Sequence, residues 1–263
     1  MITLTGFTDE ALATVDGQAR MASAAGLGHV ELRRVGVRPT PVLEASRRAL
    51  DAAHAALAEH GLRVSSIASG IGKTAVDAPL APQVDAVKRA AALAHRFGTP
   101  YVRTFSWRTT TPDADRPRVL RQMTLLARTA EAEGVTLLHE NEKGVFGDTP
   151  RRCLEIARCG IRLILDPANF VQCGVRPVDE AWPLLGEHVA YLHAKDARAT
   201  TRRVVPVGDG DGQWPQLVDA LRASGWSGFV SLEPHLGLGG RGGPITPRRW
   251  VRALVTLRGI LGS

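Results

Sequence analysis

Short runs of apolar and β-branched residues recur eight times along the chain, and each is followed by a longer stretch with apolar residues spaced three and four apart. The short runs predict strands at Ile2–Thr5, His29–Leu32, Arg63–Ala68, Tyr101–Thr104, Thr136–Glu140, Ile161–Leu165, Val189–His193 and Gly228–Leu232. The longer stretches predict helices at Val15–Ala25, Pro41–His60, Pro82–Phe97, Arg116–Glu133, Pro150–Cys159, Val178–Gly186, Trp214–Ser224 and Thr246–Leu261. Gly26, Gly61, Gly98, Gly134, Gly160 and Gly225 stand where a helix must stop before the next strand. Pro82 and Pro150 stand where one starts. Eight pairs in 263 residues leave roughly 33 per unit, the size of one βα repeat. A doubly wound sheet would alternate in the same way, but Gly6-Phe7-Thr8-Asp9 after the first strand is not a glycine-rich phosphate fingerprint. The pattern predicts a single (β/α)₈ TIM barrel over 1–263, one domain without a linker.

The last four predicted strands end alike. Leu137-Leu138-His139-Glu140, Leu163-Ile164-Leu165-Asp166, Ala190-Tyr191-Leu192-His193 and Val230-Ser231-Leu232-Glu233 are apolar runs closed by a side chain able to bind metal. Strand C-termini of a parallel barrel open on one face, so Glu140, Asp166, His193 and Glu233 should meet there. Three carboxylates and one imidazole suit one divalent ion, Mn²⁺ foremost, with Mg²⁺, Co²⁺ or Zn²⁺ as alternatives. Strand alternation turns His139 away from the interior, toward helix packing, and brings Glu142, Lys195 and His235 back to the pocket side. Asp196 can orient Lys195 or cap its loop. Arg33, Lys73 and Arg103 end strands or begin loops on the same face, where together they could meet a phosphate or carboxylate and singly would be ordinary ion-pair partners. Trp107, Phe170 and Cys173 line the mouth or simply pack. Asp196–Gln213, with its Gly208-Asp209-Gly210-Asp211-Gly212 run, and the loop Gly237–Gly243 read as flexible loops or as a lid over the mouth.

His139-Glu140-Asn141-Glu142-Lys143, Asp166-Pro167-Ala168-Asn169-Phe170, His193-Ala194-Lys195-Asp196 and Ser231-Leu232-Glu233-Pro234-His235 resemble the xylose-isomerase-like barrels, more narrowly the sugar phosphate isomerase/epimerase group. Val30-Glu31-Leu32-Arg33, Ser69-Gly70-Ile71-Gly72-Lys73 and Arg103-Thr104-Phe105-Ser106 extend the likeness over nearly the whole chain. The resemblance implies one divalent metal on Glu140, Asp166, His193 and Glu233, with Glu140 and Glu233 also moving protons. It implies substrate contacts from Arg33, Lys73, Arg103, Glu142, Asn169, Lys195 and His235, and makes a homodimer an expectation. The chain departs from the group's ketose epimerases at Asn169, where they carry histidine, and at Ala199, where they carry arginine. The related endonuclease branch holds several zinc ions on additional histidines. This chain has Ser69, Arg103 and Asn169 in those regions and no histidine in Val204–Gly210, which argues against a nuclease.

Composition alters this picture little. A net charge of +7 could point to nucleic acid, but only Lys73, Lys88, Lys143 and Lys195 are lysines among 33 basic residues, and the arginines are dispersed. No apolar run is long enough to span a membrane. The N-terminus reads as a strand rather than a signal peptide, and the odd set Cys153, Cys159 and Cys173 fits a reduced, cytoplasmic compartment. The expected function is metal-dependent isomerisation or epimerisation of a sugar, sugar phosphate or related polyol ketone. A divalent ion chelated by a carbonyl and a neighbouring hydroxyl acidifies the C–H between them and stabilises the resulting enediolate. Proton return to the same carbon epimerises, and return to the next carbon isomerises. Loss of a β-leaving group makes the alternative, a lyase or dehydratase on a keto-sugar or cyclitol. A non-catalytic ligand-binding barrel is the further alternative.

Overall fold

The computed structural model describes residues 1–263 apart from 37, 240–242 and 263. The eight apolar runs become eight parallel strands: β1 (Ile2–Gly6), β2 (His29–Leu32), β3 (Arg63–Ile67), β4 (Tyr101–Thr104), β5 (Thr136–Glu140), β6 (Arg162–Leu165), β7 (Val189–Ala194) and β8 (Gly228–Leu232). They pair in the order β1-β8-β7-β6-β5-β4-β3-β2. The two outer strands, β1 and β2, lie against each other and nearly close a barrel, although among the described residues no backbone ladder joins them.

Around the sheet run α1 (Val15–Ala24), α2 (Arg47–Glu59), α3 (Ala81–Phe97), α4 (Pro112–Ala132), α5 (Pro150–Ala157), α6 (Pro167–Gln172), α7 (Trp182–Leu185), α8 (Trp214–Ala223) and α9 (Pro247–Leu261). Gly98 shows how a helix is made to stop. Its φ of 67° is a left-handed value that a side chain would oppose, and its N–H closes onto the carbonyls of Ala94 and His95. The other five predicted stops share that backbone.

Three predicted helices come out differently. The stretch Pro41–His60 divides into a 3₁₀ turn, Val42–Glu44, and α2, which restarts where Ser46 Oγ accepts the Ala49 N–H. The helix predicted from Arg116 begins at Pro112, with Asp113 and Asp115 in its first turn and Pro117 inside it. Val178–Gly186 is a π turn, Pro177–Ala181, running into the four residues of α7. Two short hairpins, Arg34–Val35 with Thr40–Pro41 and Asp196–Ala197 with Val204–Val205, decorate the loops after β2 and β7.

The main core lies between sheet and helices. A small separate cluster of Leu138, Ile164 and Tyr191 fills the barrel interior. Each of these residues stands two positions before a predicted metal ligand, on its own strand or, for Asp166, one residue past its end, so alternation carries Glu140, Asp166 and His193 to the same interior side, one layer nearer the mouth.

Candidate metal centre

Glu140, Asp166, His193 and Glu233 each offer a ligand atom, and these atoms lie within 4.8 Å of one another; all four residues are buried. Asp166 is the best anchored. It caps α6, where its Oδ1 accepts the Asn169 N–H at 2.9 Å, and its backbone N–H and C=O both bond the Asn141 amide. Asn169 Nδ2 donates to Asn141 O at 2.9 Å and to Glu140 Oε1 at 3.3 Å, so the short helix after β6 also steadies the β5 carboxylate. Arg103 NH1 donates to the other Glu140 oxygen at 3.0 Å. Glu233 receives Arg33 NH1 at 3.1 Å and Lys195 Nζ at 3.0 Å. Lys195 Nζ also stands 2.6 Å from Asp166 Oδ2.

His193 is wholly buried. Its Nδ1 faces Glu140 Oε1 at 3.2 Å and Glu233 Oε2 at 3.6 Å, and its Nε2 faces Glu31 Oε2 at 3.3 Å. Neither ring nitrogen makes a hydrogen bond of good geometry, and Asp166 Oδ2 meets only the Lys195 ammonium, off the ideal angle. Buried polar atoms left in that condition need a partner. A buried imidazole whose nitrogens lack good hydrogen bonds, with three carboxylates in reach, forms a donor set that fits one divalent cation. Glu31 on the far side of the ring is a carboxylate of the kind that orients a metal-binding imidazole.

The electrostatics follow from burial and neighbours. Burial opposes charge on Glu140, but His193 and Arg103 more than offset it and hold the carboxyl well below the usual range. Glu233 is lowered against burial by Lys195 and His235. Burial raises Asp166 to about 6 despite Lys195. Burial would lower His193, yet Glu140 and Glu31 lift it to about 10, so without a metal this imidazole carries a proton between carboxylates.

The groups expected to touch substrate gather around this centre. Arg33 makes a two-pronged pair with Asp9 at 2.9 and 3.0 Å and lies over the Phe7 ring. Lys73 pairs with Glu142 at 3.1 Å, and Lys143 approaches the same carboxylate at 3.6 Å. His235 Nδ1 is 2.8 Å from Glu10 Oε1, with its backbone at a left-handed φ of 46°. Lys195, Arg103 and Asn169 sit deeper, in contact with the candidate metal-binding carboxylates themselves. Trp107 and Phe170 are fully buried, in keeping with packing. His139 packs outside the barrel, as alternation predicts, with Nε2 2.9 Å from Ser106 Oγ. The loop after β7 is fastened rather than free. Asp196 accepts N–H bonds from Ala197, Gly208, Gly210 and Gly212 at 2.8 to 3.1 Å. In the loop after β8, residues 240–242 lie outside the described residues.

Sequence reasoning missed Asp9, Glu10 and Glu31. A signal existed only for Glu31, a lone acid in an apolar strand. Asp9 and Glu10 follow β1 in a loop whose course no periodicity foretells.

A family model described as xylose isomerase-like TIM barrel matches residues 19–254. No curated protein sequence matches the chain. Solved structures that it resembles include a D-tagatose 3-epimerase-like protein, with a TM-score of 0.79 and 14% identity over 99% of this chain and 97% of that one. An IolI protein with a binding zinc atom gives 0.78 and 17% over 99% and 98%. The probable 3-DHS dehydratase AsbF from Bacillus anthracis gives 0.75 and 16% over 97% and 99%. At such identities the likeness speaks for the fold alone.

Proposed function

The chain belongs to the xylose isomerase-like TIM barrel family, and from that premise we propose that it is a divalent-metal-dependent isomerase or epimerase of a sugar or related polyol ketone. The observation that carries this reading is the meeting of buried Glu140, Asp166 and Glu233 on the buried His193 ring, whose nitrogens lack good hydrogen bonds. The epimerase-like and zinc-bearing relatives of the same fold support it. When bound, a divalent ion supplies the positive charge that acidifies a C–H bond beside a substrate carbonyl.

The chain's own residues do the rest. Glu140 and Glu233 are both held ionised by their neighbours, so either carboxylate can accept a proton. Arg103 and Asn169 fix the orientation of Glu140, while Arg33 and Lys195 fix that of Glu233. Glu140 removes the substrate proton, and Glu233, drawing a proton from the Lys195 ammonium 3.0 Å away, returns one; Lys195 is reprotonated from solvent as Glu140 releases its own, and the carbon that receives the proton decides between epimer and isomer. A specific observation favours elimination as the second reading: Lys195 Nζ, which bears protons where both glutamates are ionised, stands between Asp166 and Glu233, where it can protonate a departing hydroxyl.

Metal content of the purified protein, followed by solvent-deuterium exchange into a panel of ketoses and keto-cyclitols, tests the proposal. Metal-dependent exchange beside the carbonyl is expected. Glu233→Gln should keep its fold and lose about a hundredfold or more of that exchange. Exchange at the wild-type rate in that variant would remove the proton-transfer role.

A further inference from the structure

We propose that Glu10 is a positioning residue of the centre: from the loop after β1 it holds the first turn of the chain after β8, and with it the His235 imidazole beside Glu233. The inference rests on the proton-transfer reading for what Glu233 does, and goes beyond it by naming a residue that keeps that glutamate's surroundings in place. Glu10 closes a 3₁₀ turn, Thr8–Glu10, which Thr8 Oγ1 ties to Gln18 Oε1 of α1 at 3.0 Å. Its carboxylate therefore reaches out from a fixed base. Only 6% of the residue is exposed, so water supplies little of what a carboxylate needs. The loop after β8 supplies it instead. Oε2 accepts the His235 N–H at 2.9 Å, and Oε1 stands 2.8 Å from His235 Nδ1, off the ideal angle for a hydrogen bond. The Glu10 carbonyl accepts the Ile245 N–H at 2.8 Å, so one residue fastens that loop at both its ends.

Local sequence explains why such a fastening is needed. Proline disfavours helical backbone in the residue before it, so Pro234 favours an extended Glu233 and delays the turn to His235. His235 makes that turn at φ of 46°, a left-handed value that a side chain opposes. A residue stays in such a backbone only where its surroundings over-determine it. Glu10 meets both the His235 backbone N–H and one side of its ring.

The ring so held lies 3.7 Å by Nδ1 from Glu233 Oε1, with a third of the side chain exposed at the mouth. Arg33 borders the same oxygen with NH1 at 3.1 Å, and its NH2 is 3.5 Å from Glu10 Oε1. Glu10 thus touches both groups that flank Glu233 Oε1. The donor atoms of Glu10, Glu233 and His235 lie within 4.8 Å of one another, a spacing that could also hold a second cation. The Arg33 guanidinium already bridges Glu10 and Glu233 as the local cation, which favours positioning.

The test compares Glu10→Ala and Glu10→Gln with wild type, all as Mg²⁺-loaded proteins. In Glu10→Ala the His235 amide should exchange with solvent about tenfold faster or more, while the Ile245 amide, held by the Glu10 main chain, keeps its protection. Glu10→Gln retains an oxygen for the His235 N–H and should keep both. On the ketose into which wild type exchanges deuterium fastest, Glu10→Ala should lose about tenfold or more in kcat, and Glu10→Gln should recover most of it. Both should still bind one ion per chain. If Glu10→Ala does not fold, Glu10→Asp, one methylene shorter, takes its place. An unchanged His235 amide in Glu10→Ala would overturn the proposal, as would a released amide with kcat kept. So would Glu10→Gln as slow as Glu10→Ala, since charge rather than the hold on His235 would then be what counts. Two ions on wild type falling to one in Glu10→Ala would make Glu10 a ligand and overturn it as well. If wild type exchanges no ketose, proton transfer fails by itself, and the amides alone decide whether Glu10 holds the turn.

Discussion

At the scale of single residues, the strongest constraint on the centre lies behind it. Glu31 touches His193 Nε2, while Nδ1 faces the candidate ligands Glu140 and Glu233. A carboxylate in that position fixes the ring and raises its basicity. Glu31→Gln should therefore lower divalent-metal affinity by about 10- to 100-fold with all four ligands in place, as read by competition with a chelator. Unchanged affinity would mean that the barrel walls alone orient the ring. The meeting of the four candidate ligands was legible from sequence because each ends an apolar run. Glu31 was legible only as an anomaly, since its partner is 162 positions away and no local pattern joins them. His139 carries a second prediction. Burial holds its pKa at about 3, below the ordinary 6.5. Between those values the folded state binds fewer protons than the unfolded chain. This group's contribution is thus full above pH 6.5 and is lost as pH falls toward 3, with a slope approaching about 1.4 kcal/mol per pH unit. Unfolding free energies of wild type and His139→Gln, measured over that window, should converge as the medium is acidified. Parallel curves would show that His139 is not the group responsible.

At the scale of elements, β2, β4, β5 and β8 have the predicted bounds, and the other four strands differ by one residue at one end. Period-two alternation under an apolar run leaves little freedom, because a slip of one residue would expose the whole set. The helices were less legible where turn chemistry competes with periodicity. Ser46 starts a new helix inside a stretch that reads as continuous, and α6 hides in the six residues that Asp166 caps. The loop after β3 is set by a close approach that only the structure reveals. Gly72 has φ of 79°, and a side chain there would strike the backbone of Phe105. Gly72→Ala should destabilise the protein by more than about 1 kcal/mol, read as a lower urea midpoint at constant slope. The same change should loosen Lys73 and its pairing with Glu142. A midpoint equal to wild type would show that the loop can shift without cost.

At the scale of the whole molecule, the barrel is closed by side chains where its backbone ladder stops. Between β1 and β2 the ladder is missing, and a buried polar chain spans the interior instead. Thr5 Oγ1 lies 2.9 Å from Ser65 Oγ, and Ser65 bonds Val30 O at 3.1 Å and the Tyr191 hydroxyl at 2.9 Å. Tyr191 in turn donates to Glu31 Oε2 at 3.0 Å. Strands β1, β2, β3 and β7 are thereby joined through the middle of the barrel, and the last link is the carboxylate that touches His193. Closure of the fold and orientation of the candidate ligand depend on the same few hydroxyls. Removing one should be felt at both. Tyr191→Phe keeps the ring packed against Leu138 and Ile164 but leaves a buried Glu31 oxygen with one partner fewer, at a cost of about 1–3 kcal/mol. Because no ladder backs up that seam, the loss should be concentrated there. Amide hydrogen exchange should accelerate in β1 and β2 more than in the laddered pair β5 and β6, and metal affinity should fall together with it. Equal acceleration in all four strands would mean that the seam is held by helix packing, with the interior hydroxyls incidental to closure.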